Sequence, residues 1–192
     1  MDCPVTDSNI EFYRQNGFMQ YKRFFSGQEM DRLRDVIDCA IATHRDRILG
    51  AEKGGRVSDN YERVFNQMVN MWVDNDEAKE FAFSERLAEA GRRLSGAKHV
   101  RIYHDHAMVK RPSSNPTNWH MDNPFDPFFH RDALSTWLAL DDATVANGCL
   151  YYLPGVHKKA DYSFTDALLS VPNMGTLFKV FPEWGRIEPV PV

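Results

Sequence analysis

Thr117-Asn118-Trp119-His120-Met121-Asp122-Asn123 sets an imidazole and a carboxylate two positions apart. Side chains on an extended backbone repeat with a period of two, so His120 and Asp122 fall on one face and Met121 on the other. With one further histidine such a pair completes the 2-His-1-carboxylate triad, which leaves neighbouring metal positions open to a cosubstrate and oxygen. Alone the triplet is a weak signal: only about one isolated HxD in ten would bind metal. The meaning of these residues therefore depends on the chain around them.

That chain changes character after Lys98. Before it, apolar residues recur at helical spacing. Ser8 with Glu11 predicts a capping box and a short helix stopped by Asn16-Gly17. Ser26 with Glu29 predicts a second box, heading a longer helix with a stripe of Met30, Leu33, Val36, Ile37, Ala40 and Ile41. Residues 46–60 read as a loop, Phe65 to Trp72 as a packed segment rather than a pocket wall, and Asp76 to Phe83 and Ser84 to Leu94 as helices ended by Ser95-Gly96. After Lys98 the pattern turns strand-like over Val100 to Lys110, Ala133 to Leu140 and Cys149 to Leu153. Helices followed by turn-punctuated strands predict an α+β domain, with helices packed on an antiparallel sandwich or barrel. No glycine-rich phosphate loop supports a Rossmann-like sheet.

The strands carry the candidate side chains. His104, His106, Met108 and Lys110 share one face; Lys110 serves there either as a point charge for an anionic ligand or as a solvated strand end. His104 and His106 form an HxH pattern, which on an exposed strand seldom binds metal. On Ala133 to Leu140, Leu134, Leu138 and Leu140 make a core face, and Ser135, Trp137 and Ala139 the opposite one. Small residues flanking Trp137 suit a cavity wall, and plain packing accounts for that tryptophan equally well. His157, next to a turn and before Lys158-Lys159, reads as a surface residue.

The 192 residues carry a net charge of -4, with 43% hydrophobic and 26% charged residues. This is the composition of a folded domain with no basic footprint, so neither nucleic acid nor an anionic membrane surface is an expected partner. No segment reaches the roughly 18 consecutive apolar residues of a membrane span, and Met1-Asp2-Cys3-Pro4 lacks the features of a signal peptide, which predicts a cytoplasmic location. Cys3, Cys39 and Cys149 are odd in number and free of CxxC spacing, as expected of thiols in a reducing compartment.

Taken together, FYRQNGF at 12–18, Lys110-Arg111-Pro112, Trp119-His120-Met121-Asp122, Ala139-Leu140-Asp141-Asp142, Asn147-Gly148-Cys149-Leu150 and Pro154-Gly155-Val156-His157 resemble the phytanoyl-CoA dioxygenase family of Fe(II)- and 2-oxoglutarate-dependent oxygenases over nearly the whole chain. The resemblance implies one domain over residues 1–192: a mainly helical part at 1–97, and at 98–192 a double-stranded β-helix, a cupin-like jelly roll. It implies His120 and Asp122 as iron ligands, and His106, Lys110 and Trp137 near 2-oxoglutarate. It also implies Fe(II), 2-oxoglutarate and O2 as cofactor and cosubstrates, and hydroxylation of a small organic molecule with release of succinate and CO2. Related halogenases carry a small residue where Asp122 stands, so the intact carboxylate favours hydroxylation. The family's third ligand, a histidine, and the arginine that grips 2-oxoglutarate are expected past Val192, with the last strands of the jelly roll. Two other readings remain, an inactive jelly-roll binding module and a zinc hydrolase using His104, His106 and His120. Neither the substrate nor the oligomeric state is legible.

Overall fold

A computed structural model of the chain describes residues 3–43, 65–110, 112, 114, 116–117, 119–122, 132–160 and 176–192. They form two compact units, whose division falls within one helix. The first comprises Met1–Cys3, Arg23–Ala90 and His99–Asn115, the second Pro4–Lys22, Gly91–Lys98 and Pro116–Val192. The loop expected at 46–60 and the aromatic run at 123–129 lie outside the described residues.

In the first unit, helix α2 (Gly27–Thr43) buries Leu33, Val36, Ile37 and Ala40 and packs on α3 (Asp76–Ala82), which contributes Ala78 and Phe81. The expected Ser26 box is present: Glu29 N–H donates to Ser26 Oγ (3.2 Å), and the Glu29 carboxylate accepts from Ser26 N–H (2.7 Å). That backbone hydrogen bond, with the Ser26 hydroxyl and Arg86 adding, holds the Glu29 carboxyl below its ordinary range against an opposing effect of burial. Phe25 meets Phe81 edge to face at 5.7 Å, and the Arg86 guanidinium lies over Phe25 at 4.5 Å.

Strand β1 (Phe65–Val69) pairs antiparallel with β2 (His106–Lys110), from Phe65 opposite Lys110 to Val69 opposite His106. Met68 and Met71 of this segment are buried, as a packed segment requires. The ladder is shorter than the strand anticipated from Val100. Beyond Val69 the chain leaves the sheet at Asn70, which is left-handed at φ 56°, and a 3-10 turn follows at Met71–Val73. Asp105 holds that turn: its carboxylate accepts the N–H groups of Met71 (2.8 Å) and Trp72 (3.1 Å), and its carbonyl accepts that of Asn70 (3.0 Å).

In the second unit, α1 (Asp7–Asn16) is capped by Thr6 and Asn9, not by the anticipated Ser8 and Glu11. The helix starts earlier because Thr6 Oγ1 accepts Asn9 N–H (3.2 Å) while Asn9 Oδ1 accepts Thr6 N–H (2.9 Å), so an amide stands in for the usual Glu or Gln. Gly17 ends it at φ 86°, as the sequence predicts. Helix α4 (Glu85–Ser95) is the one the division crosses; on its second-unit side Gly96 stops it at φ 72° and Arg93 donates to the Val5 carbonyl.

A short helix unforeseen from sequence, α5 (Thr176–Val180), supplies Leu177 to a core shared with Leu153, Phe181 and Trp184. Phe181 and Trp184 stack at 4.0 Å. The strand expected at Cys149 to Leu153 narrows to β3 (Tyr151–Tyr152), antiparallel to β4 (Val190–Pro191). Val192 N–H adds one more bond, to the Leu150 carbonyl at 2.9 Å, so Pro191 stands opposite Tyr151 where the ladder asks no N–H of it. Ala133 to Leu140 forms no strand among the described residues; its burial alternates only from Trp137 to Leu140, with Leu138 and Leu140 half-buried and Trp137 and Ala139 exposed, while Thr136 on the leucine face is exposed.

Candidate metal centre

The segment from Trp119 to Asp122 alternates as an extended chain must. Trp119 and Met121 pack against the core of Leu153, Leu177, Phe181 and Trp184, with Trp119 edge-on to Phe178 at 5.7 Å. Their neighbours His120 and Asp122 therefore face away from that core. His120 Nε2 stands 3.2 Å from Asp122 Oδ1, and the two side chains are 44% and 59% exposed, so an ion can reach both. Two donors bound at right angles to one ion, each about 2.1 Å from it, stand about 3.0 Å apart. The spacing of this pair fits that requirement.

Ser135 completes the local arrangement. Its hydroxyl donates to Asp122 Oδ2 at 3.1 Å, which occupies one carboxylate oxygen and leaves the other beside the imidazole. The hydrogen bond from His120 holds the Asp122 carboxyl below its usual range; burial opposes the shift, and the charge of His120 and the Ser135 hydroxyl add to it. An ionised carboxylate at neutral pH is the form a metal takes. The sequence pattern had put Ser135 on the face of Trp137 without giving it a partner.

Two further side chains of this unit were missed. Burial, then the charges of Asp122 and Tyr13, raise the Tyr152 phenol above its ordinary range, and burial, then Asp132, raise that of Tyr13. Both therefore stay protonated donors at neutral pH. Trp137 is 42% exposed.

His106 and Lys110 belong to the first unit, on the exposed face of β2 together with Met108. Crowding by surrounding protein, then His104, lowers the His106 imidazole against a smaller opposing effect of Asp105; crowding also lowers the Lys110 ammonium. His104 and His106 have ring centroids 6.0 Å apart. Among the described residues no group of three His, Cys, Asp or Glu side chains could hold a metal, so neither the zinc set nor a complete iron triad is assembled there. The three cysteines are free, with Cys149 buried. No described helix is long and apolar enough to cross a membrane.

Comparison with known proteins bears on the same residues. Residues 13–174 match the family described as phytanoyl-CoA dioxygenase (PhyH). The chain is 25% identical over 156 residues to a protein of Stutzerimonas stutzeri named "Probable alpha-ketoglutarate-dependent hypophosphite dioxygenase", covering 78% of this chain and 53% of that one. It is 23% identical over 190 residues to a phytanoyl-CoA dioxygenase of Arabidopsis thaliana, covering 80% and 65%. The chain thus spans between half and two thirds of the length of these relatives. In structure it is similar to the non-heme alpha ketoglutarate dependent carbocyclase SnoK from nogalamycin biosynthesis, with a TM-score of 0.75 and 23% identity over 98% of this chain and 70% of that one.

Proposed function

The chain belongs to the phytanoyl-CoA dioxygenase family, and from that membership we propose that it acts as an Fe(II)- and 2-oxoglutarate-dependent dioxygenase that hydroxylates a small organic molecule. The observation that carries this reading is the His120 to Asp122 contact at 3.2 Å on the face turned away from the Met121 side of its segment. His120 and Asp122 would hold the iron, with a third donor from outside the described residues. The finer fold proposed is a double-stranded β-helix over one domain; the likeness at a TM-score of 0.75 supports this.

Bound iron would supply, with 2-oxoglutarate and O2, the oxidising power for a C–H bond, leaving succinate and CO2. This chain's own groups do the positioning. Asp122, held ionised by its hydrogen bonds, offers a charged oxygen, and Ser135 restrains the carboxylate from rotating away. Lys110 would meet a carboxylate of 2-oxoglutarate as a point charge, and His106, at the other end of the same face of β2, would offer a neutral imidazole. Trp137 would present an aromatic wall that keeps water from the cosubstrate.

Succinate formation from 2-oxoglutarate and Fe(II) in air tests the reading, because a slow background turnover needs no identified substrate. Protein that carries the third donor and the arginine expected past Val192 should form succinate, and His120→Ala and Asp122→Ala in it should fall to the level of free iron. Full turnover in both variants would remove the assignment. The second reading, an inactive binding module, draws on the lack of a third donor among the described residues. Calorimetry separates the two, since a module predicts no coupling between Fe(II) and 2-oxoglutarate binding.

A further inference from the structure

A helix leaves its last four carbonyls without intrahelical partners. In α1 these belong to Tyr13, Arg14, Gln15 and Asn16, and the turn after β3 takes two of them. Gly155 N–H donates to the Asn16 carbonyl at 2.9 Å, and His157 Nε2 lies 3.2 Å from that of Arg14, 143 residues away in sequence. Gly17 N–H takes a third, that of Tyr13, at 2.7 Å. A donor at this end also complements the negative pole of the helix. His157 is thus a clasp on α1, although the sequence reads it as a surface residue.

Gly17 is what lets the clasp close. Its backbone is left-handed, and a Cβ there would stand 2.3 Å from His157 Nδ1 and 2.7 Å from Cγ, inside any tolerable contact. The residue after it, Phe18, stacks on Tyr152 with centroids 4.9 Å apart and planes 12° from parallel, while Phe12 meets Phe18 edge-on at 5.7 Å. Tyr152 lies on β3, shortly before the clasping turn. Both members of the stack are therefore tethered next to the same joint, and Leu153, the residue after Tyr152, lies in the core against which Met121, the residue before Asp122, is packed.

We propose that His157 is a positioning residue: its grip on the carboxyl end of α1, the helix that carries Tyr13, locks Phe18 onto Tyr152 and so fixes an aromatic wall bearing the Tyr152 phenol beside the His120–Asp122 pair. Calling that pair the metal site rests on the function proposed above. The wall offers ring faces and a neutral O–H donor, which suits a substrate with an apolar skeleton carrying an oxygen acceptor.

Fluorotyrosine-labelled protein, with the two resonances assigned through Tyr13→Phe and Tyr152→Phe, tests this by 19F NMR. Co(II) added without oxygen is the paramagnetic stand-in for Fe(II), and its binding is read separately from visible absorption. In the wild-type chain Co(II) should broaden the Tyr152 and Tyr13 signals. His157→Ala should weaken that broadening severalfold with Co(II) affinity unchanged, and Gly17→Ala should do the same. His157→Gln, whose amide nitrogen can replace Nε2, should restore it. His157→Asn, too short to reach Arg14, is the second disrupting variant should alanine fail to fold. Equal broadening in the wild type and the disrupting variants, even with a lower melting temperature, overturns the positioning role. Co(II) binding that broadens neither tyrosine overturns the inference alone, whereas no Co(II) binding to the wild type overturns the metal reading beneath it.

Discussion

Two short stretches of this chain set ligand-type side chains at alternate positions, His104-Asp105-His106 in one unit and His120-Met121-Asp122 in the other, and their middle residues set them apart. Asp105 is consumed by structure, since its carboxylate accepts the N–H groups of Met71 and Trp72 and holds the turn that ends β1. Met121 is consumed by the core. The flanking residues differ accordingly. His104 and His106 are two imidazoles with centroids 6.0 Å apart, and His104 helps to disfavour a proton on His106, whereas His120 and Asp122 are complementary and 3.2 Å apart, with Ser135 hydrogen-bonded to the carboxylate. Alternation on an extended chain thus yields candidate pairs readily. A neighbour from another segment, Ser135, is what distinguishes one pair from the other.

The largest effect expected from breaking this contrast is at Asp105. Asp105→Ala strands two backbone donors at the 3-10 turn and should cost about 2 kcal/mol of stability in denaturant titration, since hydrogen bonds to charged groups contribute about that much. Metal binding at His120 and Asp122 should persist. A stability change within error would mean that the turn holds without its cap.

Next in size is Ser135→Ala, which frees Asp122 Oδ2 while leaving both proposed ligands in place. Loss of such a supporting hydrogen bond weakens metal affinity about tenfold, and a Co(II) titration should show that drop with little change in unfolding. Undiminished affinity would remove Ser135 from the site.

The smallest effect is the pH response. The folded-state value of His106 is lowered, so its contribution to stability is present above the ordinary imidazole range and is lost as pH falls through that range toward the folded value. Asp122 is also lowered, but from the carboxylate range, so its contribution is lost only at more acid pH. Thermal denaturation across pH should therefore show a first decline that His106→Gln removes and a later one that Asp122→Asn reduces. A first decline unchanged in His106→Gln would assign it elsewhere.

Much of this was legible from sequence where the cause is local. The Ser26 box, the glycine stops at Gly17 and Gly96, and the alternation over Trp119 to Asp122 and Trp137 to Leu140 all depend on neighbours a few residues apart. The Thr6 cap was missed because Asn9 replaces the acidic or amide residue with a longer side chain that marks a box. The first strand was overrun because a ladder stops where its partner turns away, as at Asn70. The bond from Ser135 to Asp122 and the seat of His157 on Arg14 are tertiary, and nothing in local spacing encodes which carbonyl or carboxylate a side chain will meet. The family resemblance itself was legible and holds over residues 13–174.

Whether His120 and Asp122 hold iron together is tested most directly by anaerobic titration of Fe(II) into the chain with 2-oxoglutarate present, comparing His120→Ala and Asp122→Ala with His104→Ala. Saturable binding that disappears in the first two variants and survives in the third is the predicted result. Binding that survives in both of the first two and disappears in His104→Ala would contradict it and move the metal to the other stretch.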